Sequence, residues 1–220
     1  MVKALIFDVG GTLLGATDLF ENILACNTSI KNNNSIYSQL ENGFFRQISD
    51  CRNGSTFKKI SEIIDIAIDV VNKENNNCLP LVNAGKVYWN TFVNDSFVIN
   101  DADVVLQKLN NKKIELFIAS DADAELIYAE FEKYNWDKYI SKYFISSEVQ
   151  AYKPNEVFVS VLNKAISNYE KDEVIFVGDS FVDIEIGKKL GVKTALISKN
   201  SQKRYNEDYS ITSLLELLDL

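Results

Sequence analysis

The chain has 220 residues, of which 46% are hydrophobic, and a formal net charge of -8 at pH 7. This length allows a sizeable core in one large domain or two small ones. No apolar run approaches the roughly 18–20 residues that a membrane span needs, and no secretory signal is recognised at the start. The acidic balance opposes general nucleic-acid binding, so neither nucleic acid nor a membrane is expected as a partner.

The cysteine and histidine content narrows the possible chemistry. Three cysteines, Cys26, Cys51 and Cys78, are widely spaced and form no CxxC or zinc-type pattern, which favours a reduced, cytoplasmic protein. The chain has no histidine, so Ser-His and Cys-His nucleophile pairs and histidine-ligated metals are excluded. Carboxylates, lysines and hydroxyls remain for any catalysis.

The first predicted element is a strand over residues 3–7 that ends at Asp8 and is followed by a Gly10-Gly11 turn. A short hydrophobic run stopped by glycines is typical of a strand buried on both faces. Open α/β sheets place their ligands beyond the carboxyl ends of their strands, where Asp8 stands. Alone, such an Asp is more often a helix cap or a turn former, so chemistry is indicated only by matching groups at other strand ends.

From about residue 17 to residue 93 the apolar residues recur at helical spacing, and no strand is predicted. Asn-rich breaks at residues 32–34 and 75–77 separate the helices. The apolar positions that define these helices are Leu19, Phe20, Ile23 and Leu24 after a capping Asp18; Ile36, Leu40, Phe44 and Ile48; Ile60, Ile63, Ile64, Ala67, Ile68 and Val71; and Val82, Val87, Trp89 and Phe92 after Leu79-Pro80. The pattern predicts a helical module inserted in an α/β protein.

From residue 101 onward, strands and helices alternate as in βαβ units. The predicted helices cover residues 101–109, 123–134, 155–166, 181–190 and 212–218, with Pro154 opening the third. The predicted strands cover residues 114–119, 143–146, 173–177 and 192–197. The fold class is therefore α/β, with a Rossmann-like doubly wound parallel sheet as the core.

Polar groups stand where a parallel sheet would gather them. Asp8, Ser120, Lys153 and the pair Asp179/Asp183 follow successive predicted strands. The pair is four residues apart, hence on one helix face, where two carboxylates repel each other unless a cation lies between them. Each group alone has an ordinary structural explanation as a cap, a turn residue or an exposed lysine. Together they suit Mg²⁺ and a phosphoryl group. The carboxylates offer Mg²⁺ hard oxygen ligands, and the lysine and the serine hydroxyl can bind phosphoryl oxygens.

The motifs around these groups resemble those of the haloacid dehalogenase (HAD) superfamily, whose members are mostly phosphohydrolases. The resemblance covers nearly the whole chain, and four motifs in order make it specific. They are Asp8-Val9-Gly10-Gly11-Thr12-Leu13; Ser120 after residues 115–119; Lys153-Pro154 before a helix with Phe158 and Leu162; and Val177-Gly178-Asp179-Ser180-Phe181-Val182-Asp183 followed by Gly187 and Leu190-Gly191-Val192. The inserted module resembles the helical cap of one large subclass, which implies a core of residues 1–15 and 96–220 and a cap of residues 16–95.

The resemblance implies a nucleophile and a metal site. Asp8 would attack phosphorus and form an aspartyl-phosphate. Mg²⁺ would be held by Asp8, by the backbone carbonyl of Gly10 and by Asp179, with Asp183 in support. The implied substrate is a small phosphorylated metabolite.

The resemblance also implies a phosphate-binding site. Ser120 and Lys153 would bind the phosphoryl oxygens, and Lys153 would screen the charge of Asp8 from the incoming anion. Backbone N–H groups around Gly10 and Gly11 would help to hold the phosphate. Catalytic roles therefore fall on Asp8 and Lys153.

Gly10 departs from the family pattern, because most family phosphatases carry a second Asp at this position. That residue protonates the leaving oxygen and then activates water, a contribution of roughly 10²–10⁴-fold. The carbonyl of Gly10 can still serve the metal. We therefore expect turnover that is slow or restricted to good leaving groups such as acyl phosphates, unless another group supplies the acid. The polar candidates on the cap are Asp18, Arg46, Asp50 and Arg52.

Gly10 leaves alternatives open. The chain can be a catalytically degenerate HAD-fold protein that binds or interacts without turnover. A dehalogenase is a minor alternative, weakened because Gly178-Asp179-Ser180 resembles the metal-binding form of the fourth motif. A phosphonate hydrolase requires a Schiff-base lysine on the cap, for which Lys58 and Lys59 do not match clearly. The exact substrate and the oligomeric state are not predicted.

Overall fold

The computed structural model describes residues 1–27, 29–76, 78–79, 84–198 and 204–220. The chain divides into two compact units, one formed by Met1–Gly15 with Phe97–Leu220 and the other by Ala16–Ser96. We call the first the α/β unit and the second the helical unit.

The α/β unit is built on a six-stranded sheet in the order β5-β4-β1-β6-β7-β8. The strands of the chain are β1 (Ala4–Phe7), β2 (Leu14–Gly15), β3 (Phe97–Val98), β4 (Glu115–Ser120), β5 (Lys142–Ile145), β6 (Val174–Gly178), β7 (Lys193–Ile197) and β8 (Tyr209–Ile211). Neighbouring strands of the sheet all run parallel, while β2 and β3 form a separate antiparallel pair. Because β1 lies between β4 and β6, the carboxyl ends of these three strands open at one edge of the sheet.

In chain order the α-helices are α1 (Leu19–Ala25), α2 (Asn34–Arg52), α3 (Ile60–Glu74), α4 (Ala84–Trp89), α5 (Ala102–Asn111), α6 (Ala124–Tyr134), α7 (Ser146–Val149), α8 (Glu156–Ala165) and α9 (Phe181–Leu190). Helices α5 to α9 belong to the α/β unit, and helices α1 to α4 form the helical unit. A π-helical turn, Asn90–Asn94, follows α4, and 3₁₀ turns occur at Asp137–Tyr139, Lys171–Glu173 and Leu214–Asp219.

Both faces of the sheet are covered, which confirms the predicted doubly wound α/β fold. Leu5 and Phe7 of β1 belong to one hydrophobic cluster with residues of α5 and α6. Ala4 and Ile6, which point to the other face, belong to a second cluster with residues of α8 and α9. Side chains alternate along a strand, so this double burial explains why β1 reads as a continuous apolar run.

Several details of the α/β unit differ from the sequence-based expectation. Pro154 does not open α8, because Asn155 is the N-cap and its side chain accepts from the backbone N–H of Val157. The last predicted helix is a 3₁₀ segment over Leu214–Asp219. Asp179 precedes α9, whose N-cap is Ser180, so Asp179 and Asp183 do not share a helix face. The elements β2, β3, β8 and α7 were not predicted, since two to four residues show no periodicity.

The helical unit contains α1 to α4 and, in its described residues, no strand. Asp18 caps α1 as predicted, accepting the backbone N–H groups of Phe20 and Glu21. The ring of Phe20 packs edge-on against that of Phe44 at 5.4 Å between centroids. Among the described residues the fourth helix covers Ala84–Trp89; Pro80 and Val82, where the sequence predicts its first turn, lie outside the described residues. No described helix is both long and apolar enough to span a membrane.

Candidate active site

The site begins at the carboxyl end of β1, where Asp8 continues the ladder by donating its backbone N–H to the Val177 carbonyl at 2.9 Å. The Asp8 residue is only 8% exposed. The hydroxyl of Thr12 lies 3.5 Å from Asp8 Oδ2. A carboxylate is thus held at the position where an α/β sheet binds its ligands.

Lys153 is the cation of the site. Its Nζ lies 2.6 Å from Asp8 Oδ1, 2.7 Å from Asp183 Oδ1 and 3.0 Å from the Ala119 carbonyl oxygen. The residue is 2% exposed, and the three acceptors match the three donors of an ammonium group. Burial by itself lowers the pKa of Lys153, but the carboxylates of Asp183 and Asp8 outweigh burial and hold the pKa above its usual range.

Asp8 and Asp183 share this one cation, and that leaves negative charge uncompensated. Burial raises the pKa of Asp8 to about 8, with Lys153 acting in the opposite direction and Asp183 adding to the rise. A buried carboxylate strongly disfavours its charged form unless cations lie close. The pocket therefore favours binding of additional positive charge.

Asp183 is fixed by the start of α9. Its Oδ2 accepts the hydroxyl of Ser180 at 2.6 Å and the backbone N–H of Ser180 at 3.1 Å, as in a capping box. A Cβ added at Gly178 would lie 2.3 Å from the Cβ and the Cγ of Asp183. The strand must end in glycine for this carboxylate to sit behind it.

Asp179 completes an acidic cluster at the mouth of the site. One carboxylate oxygen from each of Asp8, Asp179 and Asp183 lies within 4.8 Å of the others. Asp179 is solvent-exposed, yet partial burial of its carboxylate and the proximity of Asp183 raise its pKa to about 6. A Cβ added at Gly11, where φ is +75°, would lie 2.2 Å from Asp179 Oδ2, so Gly11 touches this carboxylate.

The donor set fits a hard divalent cation. Three carboxylates converge and Lys153 supplies one positive charge, so the cluster is negative when all are ionised. Mg²⁺ prefers carboxylate and carbonyl oxygens. The residues present are therefore compatible with the magnesium site that the motifs imply.

Two further predicted site residues, Ser120 and Gly10, lie next to residues that contact the site. Ser120 is the last residue of β4 and is buried, and the carbonyl of the preceding Ala119 accepts from Lys153. Gly10 is exposed and directly precedes Gly11; a Cβ added at Gly10 would meet no heavy atom of the described residues within 4 Å. No side-chain contact ties Ser120 to Asp8 among the described hydrogen bonds.

Two residues of the site were not singled out from the sequence. Asp121 accepts the backbone N–H of Lys153 at 2.8 Å through Oδ1, and Ser180 holds Asp183. The position of Asp121 directly after Ser120 was a usable signal. The Ser180-x-x-Asp183 spacing was another, because it matches a capping box.

Comparison with known proteins assigns the family. A family model described as haloacid dehalogenase-like hydrolase matches residues 5–197. The chain belongs to this family. The family resemblance predicted from the four motifs is thereby confirmed, and the family is one of hydrolases.

Two curated relatives are named as a phosphatase and a nucleotidase. This chain is 24% identical over 148 residues to the ribulose-1,5-bisphosphate 5-phosphatase of Halopiger xanaduensis, covering 62% of each chain. It is 23% identical over 128 residues to the pyrimidine 5'-nucleotidase PynA of Streptococcus pneumoniae, covering 55% of this chain and 54% of the relative. The matches thus span between half and two thirds of these relatives.

Solved structures with low sequence identity share the fold. The HAD-hydrolase YfnB from Bacillus subtilis, solved bound to magnesium, is 18% identical with a TM-score of 0.78, covering 100% of this chain and 99% of that chain. The L-2-haloacid dehalogenase from Xanthobacter autotrophicus is 16% identical with a TM-score of 0.71, covering 92% of this chain and 80% of that chain. These likenesses establish the architecture only.

Proposed function

We propose that the HAD protein is a Mg²⁺-dependent phosphohydrolase that acts on a small phosphorylated metabolite through an aspartyl-phosphate at Asp8. The observation that carries the proposal is the buried ion-paired group of Asp8, Lys153 and Asp183 beside Asp179. Membership of a hydrolase family and relatives named as a phosphatase and a nucleotidase support it.

In the first step a carboxylate oxygen of Asp8 forms a bond to phosphorus while the bond from phosphorus to the leaving oxygen breaks. Lys153 attracts the phosphoryl oxygens and offsets the charge of Asp8, which otherwise repels the anion. In the second step a water oxygen bonds to phosphorus while the bond between phosphorus and the Asp8 oxygen breaks; the Asp8 carboxylate is restored, and the proton of the water passes to the inorganic phosphate or to solvent as phosphate leaves. Ser120 and the N–H groups near Gly11 bind phosphoryl oxygens in both steps.

Metal binding is assigned to Asp8, Asp179 and the carbonyl of Gly10, with Asp183 in support. When bound, Mg²⁺ supplies positive charge that stabilises the phosphoryl oxygens. Asp183 suits a supporting role because Lys153 and Ser180 already donate to its two oxygens. In this role it keeps Lys153 directed at Asp8.

Gly10 limits the proposed reaction. Without a carboxyl group at this position, nothing on the β1 loop protonates the leaving oxygen, so acyl phosphates and activated aryl phosphates are the favoured substrates. The same glycine favours a second candidate function, a degenerate HAD-fold protein that binds phosphate and Mg²⁺ without turnover.

Residues 16–95, which make up all but the last residue of the helical unit, are proposed as the cap that selects the substrate. The carboxylate of Asp18 already accepts hydrogen bonds within that unit, since it caps α1 and accepts the hydroxyl of Tyr37 at 2.8 Å. Arg46 and Asp50 are exposed and remain candidates for substrate contact. We also propose a cytoplasmic location, in line with the three free cysteines.

The test is phosphate release from acetyl phosphate and para-nitrophenyl phosphate, with and without Mg²⁺. The proposal predicts metal-dependent release that disappears in Asp8→Asn and persists in Asp172→Asn, an exposed control. Calorimetric titration with inorganic phosphate separates the candidates: binding without turnover supports the degenerate protein, and turnover equal in Asp8→Asn and wild type contradicts the proposed enzyme.

A further inference from the structure

The residues on either side of Ser120 hold Lys153 at two points. The carbonyl of Ala119 accepts the side-chain ammonium at 3.0 Å, and Asp121 Oδ1 accepts the backbone N–H at 2.8 Å. Lys153 is 2% exposed, and Asp121 is half-buried. Residues 119–121, at the carboxyl end of β4, therefore contact both the backbone and the ammonium group of the lysine.

The loop that carries Asp121 is itself anchored to α7. The backbone N–H of Ala122 donates to Ser146 Oγ at 3.0 Å, and that hydroxyl donates back to the Ala122 carbonyl at 3.0 Å. The backbone N–H of Ala124 donates to Ser147 Oγ at 2.8 Å. Since Ser146 and Ser147 are buried, the loop forms a fixed support for the lysine.

The position of the Lys153 backbone matters because its ammonium has little freedom. Its Nζ reaches Asp8, Asp183 and the Ala119 carbonyl at 2.6–3.0 Å. A shift of the backbone by a fraction of an ångström lengthens several of these contacts together. Hydrogen bonds weaken steeply when their length and direction change.

We propose that Asp121 is a positioning residue whose carboxylate fixes the backbone of Lys153 so that the ammonium reaches Asp8. Its catalytic consequence depends on the proposed phosphohydrolase function, whereas its effect on the lysine does not. Asp121 thereby extends the site beyond the four motifs to the residue after Ser120.

The test compares two substitutions with one matched control. Asp121→Asn keeps an oxygen that can accept the backbone N–H, while Asp121→Ala removes the acceptor. Asp208→Ala is the control, because Asp208 Oδ2 accepts the Thr194 N–H at 2.8 Å, a similar bond between β7 and the segment before β8. Melting temperatures then show whether the alanine variants lose comparable stability.

Two readouts follow the lysine independently of turnover. In Asp121→Ala we expect the amide proton resonance of Lys153 to move upfield and its hydrogen exchange to accelerate at least about tenfold, a change equivalent to one lost hydrogen bond to a charged group. We expect affinity for inorganic phosphate in the presence of Mg²⁺ to fall by a similar factor. Asp121→Asn and Asp208→Ala keep the wild-type amide signal and phosphate affinity.

Kinetics with acetyl phosphate provide the third readout. We expect kcat of Asp121→Ala to fall roughly 10- to 100-fold, that of Asp121→Asn to stay within about threefold, and that of Asp208→Ala to be unchanged.

An asparagine variant as impaired as the alanine variant overturns the proposal, because the charge of Asp121 rather than its hydrogen bond then matters. Wild-type kcat or phosphate affinity in Asp121→Ala also overturns it. If the wild type itself has no turnover but the amide and phosphate readouts follow the expected order, the positioning role is supported and the proposed hydrolysis is wrong.

Discussion

The Nζ of Lys153 lies 2.6 Å from Asp8 Oδ1, although the two residues are 145 positions apart in the chain. The same ammonium lies 2.7 Å from Asp183 Oδ1, and all three residues are at most 8% exposed. Two buried carboxylates therefore depend on one buried cation. Such a group costs desolvation energy in any fold, which points to a requirement for binding rather than for stability.

Lys153→Met should strongly destabilise the folded protein. Removal of one partner from a buried charge group typically costs 3–5 kcal/mol of the free energy of unfolding, because the remaining charges stay buried and unpaired. Urea denaturation monitored by circular dichroism measures the loss. Lys3→Met is the control: Lys3 pairs with Glu173 at 2.6 Å, but its side chain is 60% exposed. Equal losses in the two variants would contradict the account of the buried group.

Gly10→Asp should increase phosphatase activity. The backbone of Gly10 is outside the left-handed region, and its added Cβ would meet no described heavy atom within 4 Å. A carboxyl group there can protonate the leaving oxygen, a gain of up to roughly 10²–10⁴-fold with poor leaving groups. The measurement is kcat with para-nitrophenyl phosphate and with an alkyl phosphate. Gly85→Asp, also at an open glycine, is the control, and no gain specific to position 10 would refute the role assigned to Gly10.

Gly11→Ala should weaken Mg²⁺ binding. Gly11 has φ +75°, and a Cβ there would lie 2.2 Å from Asp179 Oδ2, so the carboxylate must move. Gly191 has φ +71° but open space around its Cβ position, so Gly191→Ala carries the same backbone strain of roughly 1–2 kcal/mol without displacing a site residue. Titration calorimetry with Mg²⁺ should show reduced affinity only for Gly11→Ala; parallel behaviour of both variants would argue against Asp179 as a ligand.

Glu130→Gln should flatten the pH dependence of stability. Glu130 on α6 is 4% exposed, and burial raises its pKa to about 8 from 4.5, with Lys133 acting in the opposite direction. Between these values the unfolded chain is ionised while the folded protein keeps the proton, so stability falls as pH rises and levels off above about pH 8. The loss is on the order of a few kcal/mol. Denaturation midpoints at several pH values test this.

The same prediction has a control on the same helix. Glu132 is exposed, so Glu132→Gln should keep the wild-type slope between pH 5 and 8. If Glu130→Gln shows that slope as well, the carboxyl group of Glu130 is not the origin of the pH dependence.

Much of the fold could be predicted because the strands are buried on both faces and end in polar residues. The run before Asp8 and the run before Asp179 read as strands for this reason, and the amphipathic stripe of α3 carries a clear helical period. The strand β7 was predicted at residues 192–197, but the short strands β2, β3 and β8 were not, since they form through pairing with segments distant in the chain.

The site was less accessible to prediction than the fold. Local spacing placed Asp179 on a helix, whereas the turn at Ser180 and the close approach of Gly11 bring it to Asp8. The contact of Asp121 with the Lys153 backbone depends on how the β4 loop lies against α7. Such contacts are set by tertiary packing and leave no periodic signal.

The central claim is that Asp8 becomes phosphorylated, and intact-mass spectrometry after acid quenching tests it most directly. The protein is mixed with acetyl phosphate and Mg²⁺, and a peptide digest locates the modification. We expect a mass increase of one phosphoryl group on Asp8 in the wild type and none in Asp8→Asn. The phosphorylated form should be long-lived, because position 10 offers no base to activate water. Phosphate release by the wild type with no adduct on Asp8, or release retained in Asp8→Asn, would contradict the account.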